Sequence, residues 1–337
     1  MENHPDRDKS RVRDFLFCEG DIMEDRAVPI QNILNDGTFR FARRDADKIA
    51  RIAASIRESG MLEPIWVRSM PEGLQILAGF SRYEAAGQAG LSSIPVHYAD
   101  ADADVFCQIL LAHRVSSDFN VMEKGRALRI FKRLDPVGRE RIRCLRLLDL
   151  PDKPSVLNEM EELLELDPAL QAYIESCGAA LKQASQFLPF RTEEQRFCAE
   201  IGETLRIRPV ELLSVCIPLR EIARWNISSV QETWRGLGLP NVIQSEAARG
   251  QKVQEIKKRV HERRFPKLTG WNRSIEEAAR SLNLPASVRI EWDRTLEAPG
   301  VEVRIHADSA KEIKHLTERL SSGPAERAFH RMFRMLS

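Results

Sequence analysis

What this 337-residue chain lacks narrows the field first. No apolar run approaches the roughly 20 residues that a membrane span requires, and no signal-peptide pattern opens the chain. The six cysteines (Cys18, Cys107, Cys144, Cys177, Cys198 and Cys216) are scattered, with no CxxC pair, which argues for reduced thiols and against a disulfide framework or a zinc site. The seven histidines show no metal-binding spacing with acids or cysteines, so no metal site is read from the residues. There is no low-complexity tract and no internal repeat. Net charge is only +1, so any case for nucleic-acid binding must rest on local asymmetry.

What is present describes a soluble, mostly helical protein, with 43% hydrophobic and 30% charged residues and enough length for two or three domains. Residues 1–25 are polar at their start and are read as a disordered tail. Asp45 to Ser59 predicts an amphipathic helix, with Ile49, Ile52, Ala53 and Ile56 on one face. Gly60 ends it, and Glu63 to Arg68 and the run ending at Leu77 form a predicted hairpin around Pro71 and Gly73. A mixed α/β domain over 26–117 is expected. Ile76 to Gly79 then reads as a buried strand meeting a helix at a glycine turn. Such a turn leaves backbone N–H groups at the helix start where a phosphate can sit, and Arg82 adds a positive fork. Gly79, Phe80, Ser81 and Arg82 are therefore nucleotide-binding candidates, with Arg43 and Arg44 nearby. An ordinary strand-to-helix junction without a ligand is the competing interpretation.

From 118 to 245 the chain is predicted helical. Leu150 to Pro154 forms a sharp turn between two helices, as a helix-turn-helix requires. The candidate recognition helix, Ser155 to Leu166, carries Glu159, Glu161, Glu162 and Glu165 and no cation. That pattern opposes approach to a duplex, and only Lys153 in the turn favours it. Residues 246–273 are read as a basic linker helix with a narrow seam of Val253, Ile256 and Val260. Its Lys257, Lys258, Arg259, Arg263 and Arg264 are the better candidates for sequence-independent phosphate contact, against the competing reading of a solvated face. The last segment, 274–337, opens on the capping-box sequence Ser274-Ile-Glu-Glu277 and carries two strands of alternating pattern, Val288 to Trp292 and Val301 to Ile305. Its α-β-β-α unit has a thin core, and pairing with a second copy is expected.

Three successive segments resemble the N-terminal domain of the ParB family of partition proteins. They are Ile49 to Arg68, containing Gly60-Met-Leu-Glu-Pro64-Ile-Trp-Val-Arg68; Gly79 to Val96; and Asp118-Phe-Asn120-Val-Met-Glu123. Val156 to Leu166 looks like that family's second helix of the helix-turn-helix, and the terminal unit has the order of its dimerisation domain. The resemblance implies an α+β protein: a ParB/sulfiredoxin-like α/β N-terminal domain, an all-helical middle domain with a helix-turn-helix, and a small α-β-β-α C-terminal domain. It further implies a homodimeric clamp on double-stranded DNA, switched by CTP with or without Mg²⁺. A cytoplasmic, nucleoid-associated location and a ParA-type ATPase partner come with it. Departures from the family pattern matter. Gly-Glu-Arg-Arg becomes Gly79-Phe80-Ser81-Arg82, and no cysteine stands there, which excludes sulfiredoxin chemistry. The family's metal-binding Glu-Asn pair falls at Ala112-His113, so hydrolysis is expected to be weak or absent, with His113 left as a phosphate-contact candidate. The ParA-activating Leu-Gly-Arg-Gly-Leu motif is not visible, although Arg11 and Arg13 lie in that region. The alternative is a nucleotide-independent scaffold whose acidic helix-turn-helix docks a protein.

Overall fold

The computed structural model describes residues 26–336. The expected tail, with Arg11 and Arg13, lies outside them. Up to Val210 the chain forms one compact unit and from Glu211 onward a second.

The first unit opens with strands β1 (Arg26–Pro29) and β2 (Ile33–Leu34), joined by a 3₁₀ turn at Ile30–Asn32. Helix α1 (Ala46–Ser59) begins where the side chain of Asp45 accepts from Lys48 N–H and ends at Gly60, whose φ of 74° suits glycine. Strands β3 (Ile65–Met70) and β4 (Gly73–Ala78) form the expected hairpin, followed by α2 (Phe80–Ala89) and β5 (Ser93–Tyr98). The five strands lie in the order β1-β5-β3-β4-β2, with β3 parallel to β5 and antiparallel to β4. Ile65, Val67, Ile76, Ile94 and Val96 point from the sheet into one core, which α1 covers with Ile49, Ala53 and Ile56 and α2 with Ala85 and Ala86. Burying each aliphatic side chain contributes about 1.5–3 kcal/mol before the entropy of ordering is subtracted.

The helical part of this unit starts with α3 (Ala103–Ser116) and α4 (Val121–Leu134). Asn120 and Glu123 close a reciprocal capping box on α4, which fixes where the chain leaves the α/β domain. Helices α5 (Arg141–Leu147) and α6 (Pro154–Leu163) flank the turn at 148–153 and form the helix-turn-helix pair. Then come α7 (Pro168–Ser176), the short α8 (Leu181–Ala184) and α9 (Thr192–Leu205). No disulfide joins the described cysteines; burial pushes the Cys107 thiol up to about 11, so it is inert as a nucleophile.

In the second unit the structure departs from the sequence-based boundaries. Helix α10 (Pro209–Trp225) runs through the junction between units and is followed by α11 (Val230–Gly236) and α12 (Leu239–Gln244). Helix α13 (Arg249–Arg264) is not a free linker. Its seam of Val253, Ile256 and Val260 is fully buried, and it packs on α12. A helix start at Ser274 is also corrected. Helix α14 (Pro266–Ser281) is continuous from Pro266, and Ser274 Oγ donates to the Gly270 carbonyl within it. Pro266 is a start as well as a stop, because proline at the first helical position loses no hydrogen bond.

Strands β6 (Val288–Trp292) and β7 (Val301–Ile305) pair antiparallel, Ile290 opposite Val303. Helices α15 (Ala310–Leu320) and α16 (Gly323–Leu336) complete the chain. Ile275 and Ala278 of α14 and Leu282 just after it pack with Ala325, Ala328 and Met332 of α16, and Trp292 and Val301 rest against them.

Candidate functional site

The turn from β4 into α2 is built by Gly79. Its φ is 93°, and a Cβ there would stand 2.7 Å from Ile65 Cγ2, so only glycine fits without moving β3. No side chain caps the helix that starts at Phe80. Phe80 itself packs partly buried against the core. Arg82 is half buried and its Nη1 donates to Glu63 at 2.8 Å. Burial pulls the Arg82 guanidinium below its ordinary pKa, and the carboxylate of Glu63 pushes it back up.

The neighbouring cations sort differently from the sequence expectation. Arg44 approaches α2 and donates to Glu84 at 2.6 Å. Arg43 turns elsewhere, lying 3.9 Å from Glu175 of α7, which also takes Arg126. The residue that sequence reasoning missed is Arg40. It donates to Glu84 at 2.6 Å and its guanidinium stacks 4.7 Å from the Phe80 ring, at the turn itself. Glu84 is partly buried, which favours its neutral form, but hydrogen bonds from Arg44 and Arg40 outweigh that and hold its pKa below the ordinary value.

Next to Arg40, Phe41 packs edge-on against His113, ring centroids 5.0 Å apart, and Phe119 covers the imidazole from another side at 4.8 Å. His113 Nε2 lies 3.1 Å from Ser117 Oγ. Burial lowers the His113 pKa, against the pull of Glu123, and Lys48 lowers it further. The segment at Arg40 and Phe41 thus touches both the Gly79 turn and the end of α3. It is tied down from the helical side, with Arg126 donating to the Phe41 carbonyl at 2.6 Å and Arg133 to that of Thr38 at 2.9 Å.

The helix-turn-helix is less acidic outward than its composition suggests. Glu165 pairs with Arg129 of α4 at 2.6 Å, Glu161 pairs with Lys132 of the same helix, and Glu159 accepts from Ser185. Ser155, Asn158 and Glu162 are left facing outward. Lys153 is exposed in the turn and Arg146 is exposed on α5; neither has an ion-pair partner among the described residues.

The basic helix moves the opposite way. Arg259 is held by Glu255 at 2.7 Å and by the carbonyls of Leu237 and Gly238. Arg263 donates to Asn226, Arg264 pairs with Glu221 at 2.7 Å, and Lys257 lies 3.5 Å from Glu211. Of the five cations chosen from sequence, Lys258 alone is exposed with no hydrogen bond or ion pair to its side chain among the described residues. Four are structural ties as well as charges, which a charge count cannot reveal.

Residues 19–112 match the family model of the ParB N-terminal domain. A nucleoid occlusion protein of Listeria monocytogenes is 28% identical over 192 residues, covering 54% of this chain and 66% of that protein. A probable chromosome-partitioning protein ParB of Vibrio cholerae is 32% identical over 129 residues, covering 36% and 42% respectively. The chain thus spans less than two thirds of the length of these relatives. A solved structure, the C-terminally truncated ParB of Caulobacter crescentus complexed with CTP-gamma-S, aligns with 52% of this chain and 97% of its own at 25% identity, and its TM-score of 0.25 lends no weight. Described helices include none long and apolar enough to cross a membrane. The matching segment coincides with the sheet, α1, α2 and the Gly79 turn, so this part of the chain is similar to the N-terminal domain of ParB proteins.

Proposed function

We propose that this protein is a homodimeric DNA-binding partition factor whose Gly79 turn holds the phosphates of a nucleotide, CTP by family analogy. The observation that carries the nucleotide part is the uncapped start of α2, with Arg82 half buried beside it and Arg40 stacked on Phe80. Helix-start amides and guanidinium forks are the usual partners of phosphate oxygens. Glu63 and Glu84 now occupy those cations, and an arriving phosphate would compete with them. In this scheme His113, neutral in its apolar surround, serves as a hydrogen-bond donor and not as a magnesium ligand. Hydrolysis, if any, is weak.

DNA contact is assigned to the helix-turn-helix edge formed by Arg146, Lys153, Ser155 and Asn158. The docking of a protein on an acidic α6 loses its motive, since α4 cations neutralise two of the four carboxylates. Self-association is assigned to the apolar side of the last segment. There Val303, Phe329 and Phe333 line a cleft of about 590 Å³, and Phe333 and Ile313 are 47% and 49% exposed.

The test is binding of labelled CTP, ATP and GTP, with and without duplex DNA. Arg82→Ala is expected to lower affinity for the preferred nucleotide at least about tenfold, the scale of one charge-assisted contact. Unchanged affinity in that variant would remove the pocket assignment.

A further inference from the structure

Nucleoside triphosphates ordinarily travel with magnesium, and the side chains around the Gly79 turn decide whether such a cation fits there. Magnesium takes hard oxygen ligands, as a rule one or two carboxylates beside the phosphates. The carboxylates at the turn are already committed to arginines. Both oxygens of Glu84 are taken, Oε1 by Arg40 and Oε2 by Arg44, each at 2.6 Å, and its side chain is 14% exposed. Glu63 accepts from Arg82 at 2.8 Å, so a cation drawn to it would stand beside a guanidinium. At the start of α4, Glu123 accepts from the Asn120 N–H, and Asn120 Oδ1 accepts from the Met122 and Glu123 N–H groups, which engages both in the capping box. His113 lies among Phe41, Phe119 and Ser117, and imidazole is a poor partner for magnesium. No group of three or more acidic, histidine or cysteine side chains able to hold a metal ion occurs among the described residues.

Where metal ligands are wanting, the turn has guanidinium groups. Arg40, Arg44 and Arg82 face two carboxylates, a positive balance before any ligand arrives. Each guanidinium has five N–H donors, more than its carboxylate can take, so donors remain for phosphate oxygens. Arg40 is also held in place beforehand. It stacks on Phe80 at the head of α2, and its segment is fixed from several sides. Arg126 donates to the Phe41 carbonyl at 2.6 Å and Arg133 to the Thr38 carbonyl at 2.9 Å. Asp36 accepts from the Thr38 N–H at 3.0 Å and from the Gln75 side chain. A fork anchored in this way loses little freedom when an oxyanion takes it.

We propose that the Gly79 turn takes its nucleotide as the metal-free polyanion, with Arg40, Arg44 and Arg82 neutralising the phosphates in place of a magnesium ion. This rests on the nucleotide reading of the turn and specifies the form of the ligand. Charge is the reason. A magnesium ion cancels part of the triphosphate's negative charge and occupies oxygens that guanidinium forks bind. A site built of arginines therefore favours the bare phosphate chain, whereas a site with free carboxylates favours the magnesium complex.

The test is fluorescence anisotropy of labelled CTP, ATP and GTP on the full chain, in EDTA and in Mg²⁺ in excess over nucleotide, at equal ionic strength. For the nucleotide bound tightest, Kd in EDTA is expected to equal or fall below Kd in Mg²⁺. Tightening by Mg²⁺ of more than about threefold overturns the proposal and leaves the turn standing as a nucleotide site. Arg40→Ala is expected to raise Kd in EDTA about tenfold or more. Arg57→Ala removes an equal charge at the far end of α2, where Arg57 donates to the Gln88 carbonyl, and should leave Kd unchanged. An unchanged Kd in Arg40→Ala, or equal losses in the two variants, overturns the proposal. A cooperative melting transition in Arg40→Ala separates lost binding from lost folding, and the wild-type comparison of the two buffers needs no variant. Failure of all three nucleotides to bind in either buffer removes the nucleotide reading of the turn, and the metal-free form with it.

Discussion

Ile227 is a β-branched residue at φ 51° and is 96% exposed. It closes α10 in a Schellman arrangement, with Ser228 N–H bonded to the Ala223 carbonyl and Ile227 N–H to that of Arg224. Glycine is the residue that this left-handed position favours, and the isoleucine gains no burial in return. Ile227→Gly is therefore expected to stabilise the protein by about 1 kcal/mol, raising its Tm by about 3 °C in a calorimetric scan. Glu84 gives a second expectation at this scale. Its native pKa is depressed below the ordinary 4.5, so the stability it contributes is complete above 4.5 and fades as pH falls through the native value. Thermal melts of wild type and Glu84→Gln should differ at pH 7 and converge on acidification below 4.5. These charges also show where sequence reading stopped. Arg82 and the glycine turn are adjacent in the chain and were legible. Arg40 was not, because Phe80 and Glu84 lie some 40 residues further along and only packing brings them together.

Elements were legible where their signals are local. The strand alternation of β6 and the apolar face of α1 both act within a few residues, and both appear in the structure. Helices α13 and α14 were misread for a related reason. A three-residue seam and a proline carry the same local pattern whether the helix is a linker or a packed element. The helix-turn-helix illustrates the converse, with two of the four carboxylates of its recognition helix paired to α4 cations more than 20 residues away. What remains outward at that motif leads to an expectation. Reversing the charge of Arg146 and Lys153 together should weaken duplex binding and reduce the slope of log affinity against log salt by about 2, measured by fluorescence anisotropy. An unchanged slope would move the DNA contact elsewhere.

At the scale of the whole molecule, the last segment leaves apolar side chains uncovered although its own core is closed. Phe333 of α16 points away from the Ile275–Met332 core and is nearly half exposed. Phe333→Glu is expected to convert a dimer to monomers in light scattering while the melting of the first unit is retained; a dimer that persists would place self-association on another surface. From the sequence by itself came the α/β start, the glycine turn, the helix-turn-helix spacing and the two terminal strands. Each of these follows from apolar periodicity, capping or backbone permission within a few neighbouring residues. Only the tertiary structure decided which carboxylate each arginine meets, and that α13 is packed and not a linker. Those outcomes depend on Coulombic and packing partners distant in the chain, which no local pattern encodes.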